Sequence, residues 1–470
     1  MRESTPPAKR FASRGRKKLR KFAISLIALP LLGAAPMDRC AELRNAVVPG
    51  LEVTTAVLVG DACRIEAVAR PRASAAIGIE MWLPASARWS GRYYQMGNGG
   101  FAGHIDRATL GAAAARGDVA AATDTGHKGD GFDAQWALGR PDLIEDYTYR
   151  SIKITSDAAA ALTRTYYGRP AKHRYFMDCS FGGRQALVAA SRWPADWDGV
   201  IAGAPATDWP MRLGSFAKIQ AALRISSGGW IGAERIARLV TVARRACRGA
   251  PDCAIKALRE ACREGRKTAC LTAPQEESLA IIESAGYALR DADPSEWSRW
   301  IVNPNTTAPS QLTFATQAFR YLLADNPRWS LGDAPVARED RVALFKVGSL
   351  RPFAARGGKV LSYFGGADAV LPPTLALADA RRLGATTAFY RLFPAPGMGH
   401  CQGGTAAVAF GQSLEAPAPA DTAAQDIRRA LEAWVENGTA PTAIFASANG
   451  RGRRGTTVLK FVDLGSHARR

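Results

Sequence analysis

The sequence predicts an α/β fold, a mostly parallel sheet covered by helices on both faces and interrupted by one helical insertion. Two observations lead to it. From about Cys40 to Trp209 short apolar strands alternate with helical stretches. Strand character then disappears and returns only at Lys359, after an interval rich in Arg, Ala and Trp.

The elements follow in chain order. Nine Lys/Arg between Arg2 and Lys21 precede the apolar run Phe22 to Leu32, and Gly33-Ala34-Ala35 comes next. A basic segment, a short apolar segment and small residues make the pattern of a secretory signal peptide over 1–35. A single membrane anchor is the alternative, for which the run is short. The first part of the core covers 36–208. Ala76 to Leu83, Arg92 to Met96, Val119 to Thr123 and His173 to Met177 read as strands, and Tyr149 to Tyr166 and Gln185 to Arg192 as helices. The insertion covers 209–340. Strands Lys359 to Phe364 and Ala388 to Phe393 and helix Ala423 to Glu436 then complete the core over 341–448. From Asn449 to Arg470 the chain is Gly- and Arg-rich, and a poorly ordered basic tail is expected.

Composition excludes several classes. With 47% hydrophobic residues the chain can bury a large core, which sets it apart from disordered sequences. The formal charge of +20 falls by eight, to +12, once the leader with its nine bases and one acid is removed. The remaining basic clusters are scattered and lack interleaved aromatics, so no nucleic-acid partner is expected. Eight cysteines in an exported chain point to disulfides. Cys40 and Cys63 lie early, Cys247, Cys253, Cys262 and Cys270 cluster in the insertion, and Cys179 and Cys401 stand apart. None has zinc-site spacing with histidines, and no metal or other cofactor is expected.

The chemistry concentrates at Asp178-Cys179-Ser180-Phe181-Gly182-Gly183, between a strand and a helix. A serine on such a turn stands exposed at the carboxyl edge of the sheet, and it needs a general base. In a hydrolase of α/β type the triad runs serine, acid, histidine along the chain. Only His400 and His467 follow Ser180, and His400 lies in the glycine-rich loop Pro396 to Cys401 whereas His467 lies in the polar tail. Asp368 follows a strand in Gly365-Gly366-Ala367-Asp368, while the rival Asp379 falls in a helical stretch. The expected triad is Ser180, Asp368 and His400, on an α/β-hydrolase core with a mainly helical lid. The amide of Phe181, next after the nucleophile, is the expected oxyanion donor.

These residues resemble the tannase and feruloyl esterase family, which also contains the enzyme hydrolysing the monoester of terephthalate. The resemblance rests on Cys179-Ser180, His400-Cys401, Gly97 to Gly103, Thr123 to His127, Gly182-Gly183-Arg184-Gln185, Pro394 to Gly404 and Trp434-Val435-Glu436. It implies a disulfide between Cys179 and Cys401 beside the triad, a second oxyanion donor at Gly100, and a lid over 209–340 that selects the substrate. It implies a structural role for His127. The activity implied is hydrolysis of aromatic acid esters, hydroxycinnamates or gallates, as small molecules or on a polymer, by a secreted or periplasmic enzyme. An esterase with another acyl preference and a silent cationic binding protein that keeps the fold are the competing expectations.

Three departures stand out. Asp178 occupies a place where the family usually has glycine. The lid of many members binds calcium between cysteines, but Cys247 to Cys253 encloses the single carboxylate Asp252, and calcium takes 6–8 oxygen ligands. No calcium is expected there; disulfides Cys247–Cys253 and Cys262–Cys270, one of three possible connectivities, are expected to hold the lid. The family's usual carboxyl-terminal segment is also missing.

Overall fold

The computed structural model describes residues 36–247, 253–303, 308, 310–448 and 455–465. The leader 1–35 lies outside them. Eleven strands are present among these residues: β1 Leu51–Val59, β2 Ala62–Ala69, β3 Ile77–Leu83, β4 Arg92–Met96, β5 Val119–Thr123, β6 His173–Cys179, β7 Gly199–Gly203, β8 Lys359–Gly365, β9 Tyr390–Ala395, β10 Ala443–Ser447 and β11 Thr456–Lys460. Nine form one sheet in the order β1-β2-β3-β5-β4-β6-β7-β8-β9. The pairs from β5 through β9 are parallel, and the β1-β2-β3-β5 edge is antiparallel.

Strands buried on both faces lose the polar alternation of a half-exposed strand. β5, β7 and most of β8 are accordingly apolar and buried throughout. Successive residues still point to opposite faces. Tyr94, Tyr175, Ile201, Leu361 and Phe393 pack with helix Ile427–Asn437 on one face. Tyr93, Phe176, Val200 and Val360 meet helices Ser151–Tyr167 and Phe181–Arg192 on the other. The α/β-hydrolase architecture therefore follows from two layers of helices around a parallel sheet.

The insertion leaves the sheet after β7 and returns at β8. It carries helices Trp209–Ala222, Ala233–Ala246, Ala254–Arg263, Ala273–Ser284, Pro294–Trp300 and Gln311–Gln317. Its Trp209, Phe216, Leu239 and Trp297 belong to the same continuous core as the sheet face beneath. Disulfides join Cys247 to Cys253 and Cys262 to Cys270 within it. A third joins Cys40 to Cys63, tying the amino-terminal segment to β2.

Two regions differ from the sequence expectation. The strands expected from the sequence begin at Ala76, whereas the structure adds the β1–β2 hairpin, turned at Gly60-Asp61 between Val59 and Ala62. Residues 455–465, inside the stretch expected to be a poorly ordered tail, carry β11, paired antiparallel with β10. Thr456, Thr457 and Val458 favour extended backbone. Leu459 is fully buried, and the Val462 amide donates to the Leu392 carbonyl of β9.

Candidate active site

β6 lies in the interior of the sheet between β4 and β7, and its last residue is Cys179. Ser180 follows with φ 62° and ψ −128°, a conformation that L-residues rarely adopt and that is held by its surroundings. Its amide donates to the Gly203 carbonyl at 2.9 Å, and its carbonyl accepts from the amides of Arg184 and Ala206, each at 3.1 Å. The turn starts helix Phe181–Arg192. As the first helical residue, Phe181 has an amide with no intrahelical acceptor.

Asp368 follows β8 and is 2% exposed. One carboxylate oxygen accepts from the amides of Val370 and Leu371 at 2.8 and 2.9 Å. The other meets His400 Nδ1 at 2.8 Å. That contact fixes the ring orientation and leaves Nε2 as the free nitrogen. Asp379 is engaged elsewhere, with Thr207 and Arg212, as a helical residue in a structural network.

Cys179 and Cys401 form a disulfide with Cα atoms 5.9 Å apart. Each adjoins one member of the expected triad, so Ser180 and His400 occupy neighbouring loops at the carboxyl ends of β6 and β9. No hydrogen bond from Ser180 to His400 is made among the described residues.

Asp178 is accommodated because two neighbours have no side chain. Its carboxylate covers the Cα of Gly182, where a Cβ would collide with it, and its Cβ sits 3.1 Å from where a Cβ on Gly97 would lie. It accepts from the Cys179 amide at 2.5 Å. Burial pushes its carboxyl up to about 6, against the lowering pull of the Cys179 and Gly97 amides.

The Gly97 to Gly103 loop lies beside the turn. Gly100 has φ +54°, and a side chain there would run into the Gly131 carbonyl. His127 braces this loop: Nε2 meets the Phe101 carbonyl at 2.8 Å, Nδ1 meets Thr125 at 3.2 Å, and its ring stacks on Trp136. Burial drops its pKa to about 4, which keeps it neutral.

A cavity of about 680 Å³ opens beside His400, lined among others by Glu296, Arg299, Trp300, Gln402 and Thr405. The Trp300 ring stands edge-on to His400 at 6.4 Å and neighbours Phe132 at 6.2 Å. Trp297 and Trp329, also in the insertion, are buried in its core. Burial raises the Glu296 carboxyl, with Arg299 opposing the shift. From the sequence, Trp300 is one of several insertion tryptophans that could equally stack on an aromatic acyl group or pack as lid core, and Glu296 is not marked at all, since pattern and spacing carry no signal for a contact between distant segments.

The interval 248–252, where the calcium question arose, lies outside the described residues. Among the described residues no three His, Cys, Asp or Glu side chains gather to hold a metal, and no helix is long and apolar enough to cross a membrane.

The chain is similar to several known proteins. The family model "Tannase and feruloyl esterase" matches residues 63–281 and 347–461. An uncharacterized esterase of Xanthomonas campestris pv. campestris is 32% identical, over 90% of this chain and 86% of its own length. A protein of Aspergillus fumigatus named "Probable feruloyl esterase B-1" is 30% identical, over 79% of this chain and 76% of its own. The crystal structure of feruloyl esterase B from Aspergillus oryzae superposes with a TM-score of 0.78 at 23% identity, covering 91% of this chain and 96% of that one. The chain belongs to the tannase and feruloyl esterase family of carboxylic ester hydrolases.

Proposed function

We propose that the chain is an exported serine esterase that cleaves esters of aromatic acids, hydroxycinnamates or gallates, through an acyl-enzyme on Ser180. The observation that carries the reading is the pairing of the Asp368–His400 hydrogen bond with the Cys179–Cys401 disulfide, which brings an oriented base to the turn that bears the serine.

His400 Nε2 takes the proton of Ser180 Oγ as that oxygen attacks the ester carbonyl. Asp368 holds the tautomer and stabilises the imidazolium. The amides of Phe181 and Gly100 receive the negative charge on the tetrahedral oxygen; removing one such donor costs about 3 kcal/mol of barrier in comparable sites. His400 then returns the proton to the leaving alcohol. Water, activated by the same imidazole, releases the acid. Nothing in these steps calls on a cofactor or a metal.

The aromatic preference draws on two supports: relatives named as feruloyl esterases, and Trp300, which stands edge-on to His400 in the cavity lining and is backed by Phe132 and Phe314. The insertion supplies Trp300 and Phe314, so it acts as the lid that selects the acyl group. Four disulfides support export, since such bonds persist in oxidising compartments. The partner is a small ester or an ester-decorated polymer.

The test is hydrolysis of methyl ferulate, methyl gallate and p-nitrophenyl acetate beside Ser180→Ala. Aromatic turnover lost in the variant is the expected result. Turnover of acetate alone would keep the esterase and discard the aromatic preference. A folded protein that turns over no ester would favour the silent binding protein.

A further inference from the structure

We propose that Tyr147 is the positioning residue of the oxyanion hole, one buried side chain that holds Gly100 and Phe181 in register. This rests on the assignment of those two residues as the oxyanion donors.

Gly100 and Phe181 come from separate loops, after β4 and β6, and their amides must converge on a single oxygen. Tyr147 touches both residues. Its hydroxyl donates to the Gly100 carbonyl at 2.6 Å. Its ring lies parallel on the Phe181 ring, with centroids 4.2 Å apart and planes 4° from parallel. Edges of Trp136, His127 and Phe345 enclose the same ring at 5.2, 5.9 and 6.3 Å. A ring boxed in this way does not reorient, so its hydroxyl is a fixed point.

The backbone makes that fixed point useful. The Gly99 carbonyl accepts from the Ala102 amide at 3.0 Å. In a trans peptide the N–H points opposite to the C=O. The Gly100 N–H, in the same peptide as the Gly99 carbonyl, is therefore turned out of the Gly99–Ala102 turn. The next peptide is pinned on both sides, its N–H by the Gly131 carbonyl at 2.8 Å and its C=O by Tyr147. Freeing the Gly100 carbonyl would let the loop, whose φ of +54° is already unusual, rotate the donor away.

The local backbone around Tyr147 is also irregular. It sits in a π turn, Asp146–Arg150, between helices Pro141–Glu145 and Ser151–Tyr167. Such turns shift side-chain direction within a helix and recur at functional sites. Burial raises the phenol well above its ordinary pKa, so the donor stays protonated throughout the working pH range.

The experiment compares wild type with Tyr147→Phe, which keeps the ring stack and removes the hydroxyl. The readouts are the rate of Ser180 labelling by a fluorophosphonate, kcat and KM for an ester, binding of the product acid, and Tm. Labelling and kcat are expected to fall about tenfold together, with KM and product binding within twofold of wild type. Labelling at the wild-type rate would overturn the proposal, and a lowered Tm with unchanged labelling would assign Tyr147 to packing alone. Should Tyr147→Phe not fold, Phe181→Leu removes the stack and retains the amide. Slower labelling supports the proposal, and wild-type labelling overturns it. A wild type that does not label at all removes the role of Ser180 and the proposal with it, a result distinct from equal labelling of both proteins.

Discussion

The seam between the Ser180 and His400 loops and the helical insertion are both disulfide-bonded, in opposite ways. Cys179–Cys401 joins residues 222 apart in sequence, across two parts of the core. Cys247–Cys253 and Cys262–Cys270 close loops of 6 and 8 residues inside the insertion. In the chain-entropy picture a loop of that first size contributes about 5 kcal/mol and the short ones about 2 kcal/mol each. In the proposed mechanism the long bond also sets the spacing of nucleophile and base, whereas the short ones lie wholly within the insertion. The lesson is that bond number is a poor guide to consequence; what a bond spans decides it.

Four measurements break or sharpen that contrast. The largest effect belongs to the seam's electrostatics. Asp368→Asn, which keeps the shape but reverses the hydrogen-bond preference at His400 Nδ1, should lower kcat about 10⁴-fold in ester hydrolysis. A loss of only a few-fold would mean that Asp368 does not orient the base.

The next effect compares the bonds directly. Paired Cys→Ser changes at 179 and 401 should lower kcat about 100-fold through misplacement of His400. The same change at 262 and 270 should lower Tm and leave kcat near wild type. Equal losses of kcat in the two variants would abolish the distinction between seam and insertion.

Trp300→Ala tests what the insertion contributes to selection. It should raise KM for methyl ferulate about tenfold, as loss of an aromatic contact does, and leave p-nitrophenyl acetate nearly unchanged. Hydrolysis rates across the two substrates read this out.

The smallest effect concerns Asp178. Its folded-state pKa of about 6 lies above the ordinary Asp value near 3.9 in an unfolded chain. The stability linked to this group is therefore fully present below about pH 4 and is lost as pH rises through 6. Asp178→Asn should flatten that part of the Tm-against-pH curve by a few degrees, and an unchanged curve would show that the carboxyl titrates normally.

The parts of the candidate site that are legible in the sequence are those where chain order carries information. Ser180 on a strand–helix turn, Asp368 after a strand and His400 in a glycine loop are each marked by local residues, and their order restricts the choices further. The parallel strands were legible because burial on both faces makes them short apolar runs. β7, Gly-Val-Ile-Ala-Gly, was not, because two glycines in five residues resemble a loop. Tyr147 was hidden for another reason. It precedes the helix read from Tyr149, where nothing in the local residues marks a π turn, and its partners at 100 and 181 are joined to it only through space. β11 was masked by the Gly- and Arg-rich composition on its amino-terminal side.

The seam has a consequence for how this architecture can diverge. The whole insertion lies within the loop that Cys179 and Cys401 close. Because closure entropy grows only with the logarithm of loop length, doubling what lies between costs about 0.6 kcal/mol. With its two ends stapled, the intervening segment can change in length and lining while the proposed nucleophile and base keep their spacing, as long as the replacement fills the shared core that Trp209, Phe216, Leu239 and Trp297 occupy. On the proposed mechanism, grafting an insertion from a relative between β7 and β8 is thus a route to new ester selectivity that keeps the Ser180 and His400 loops tied together.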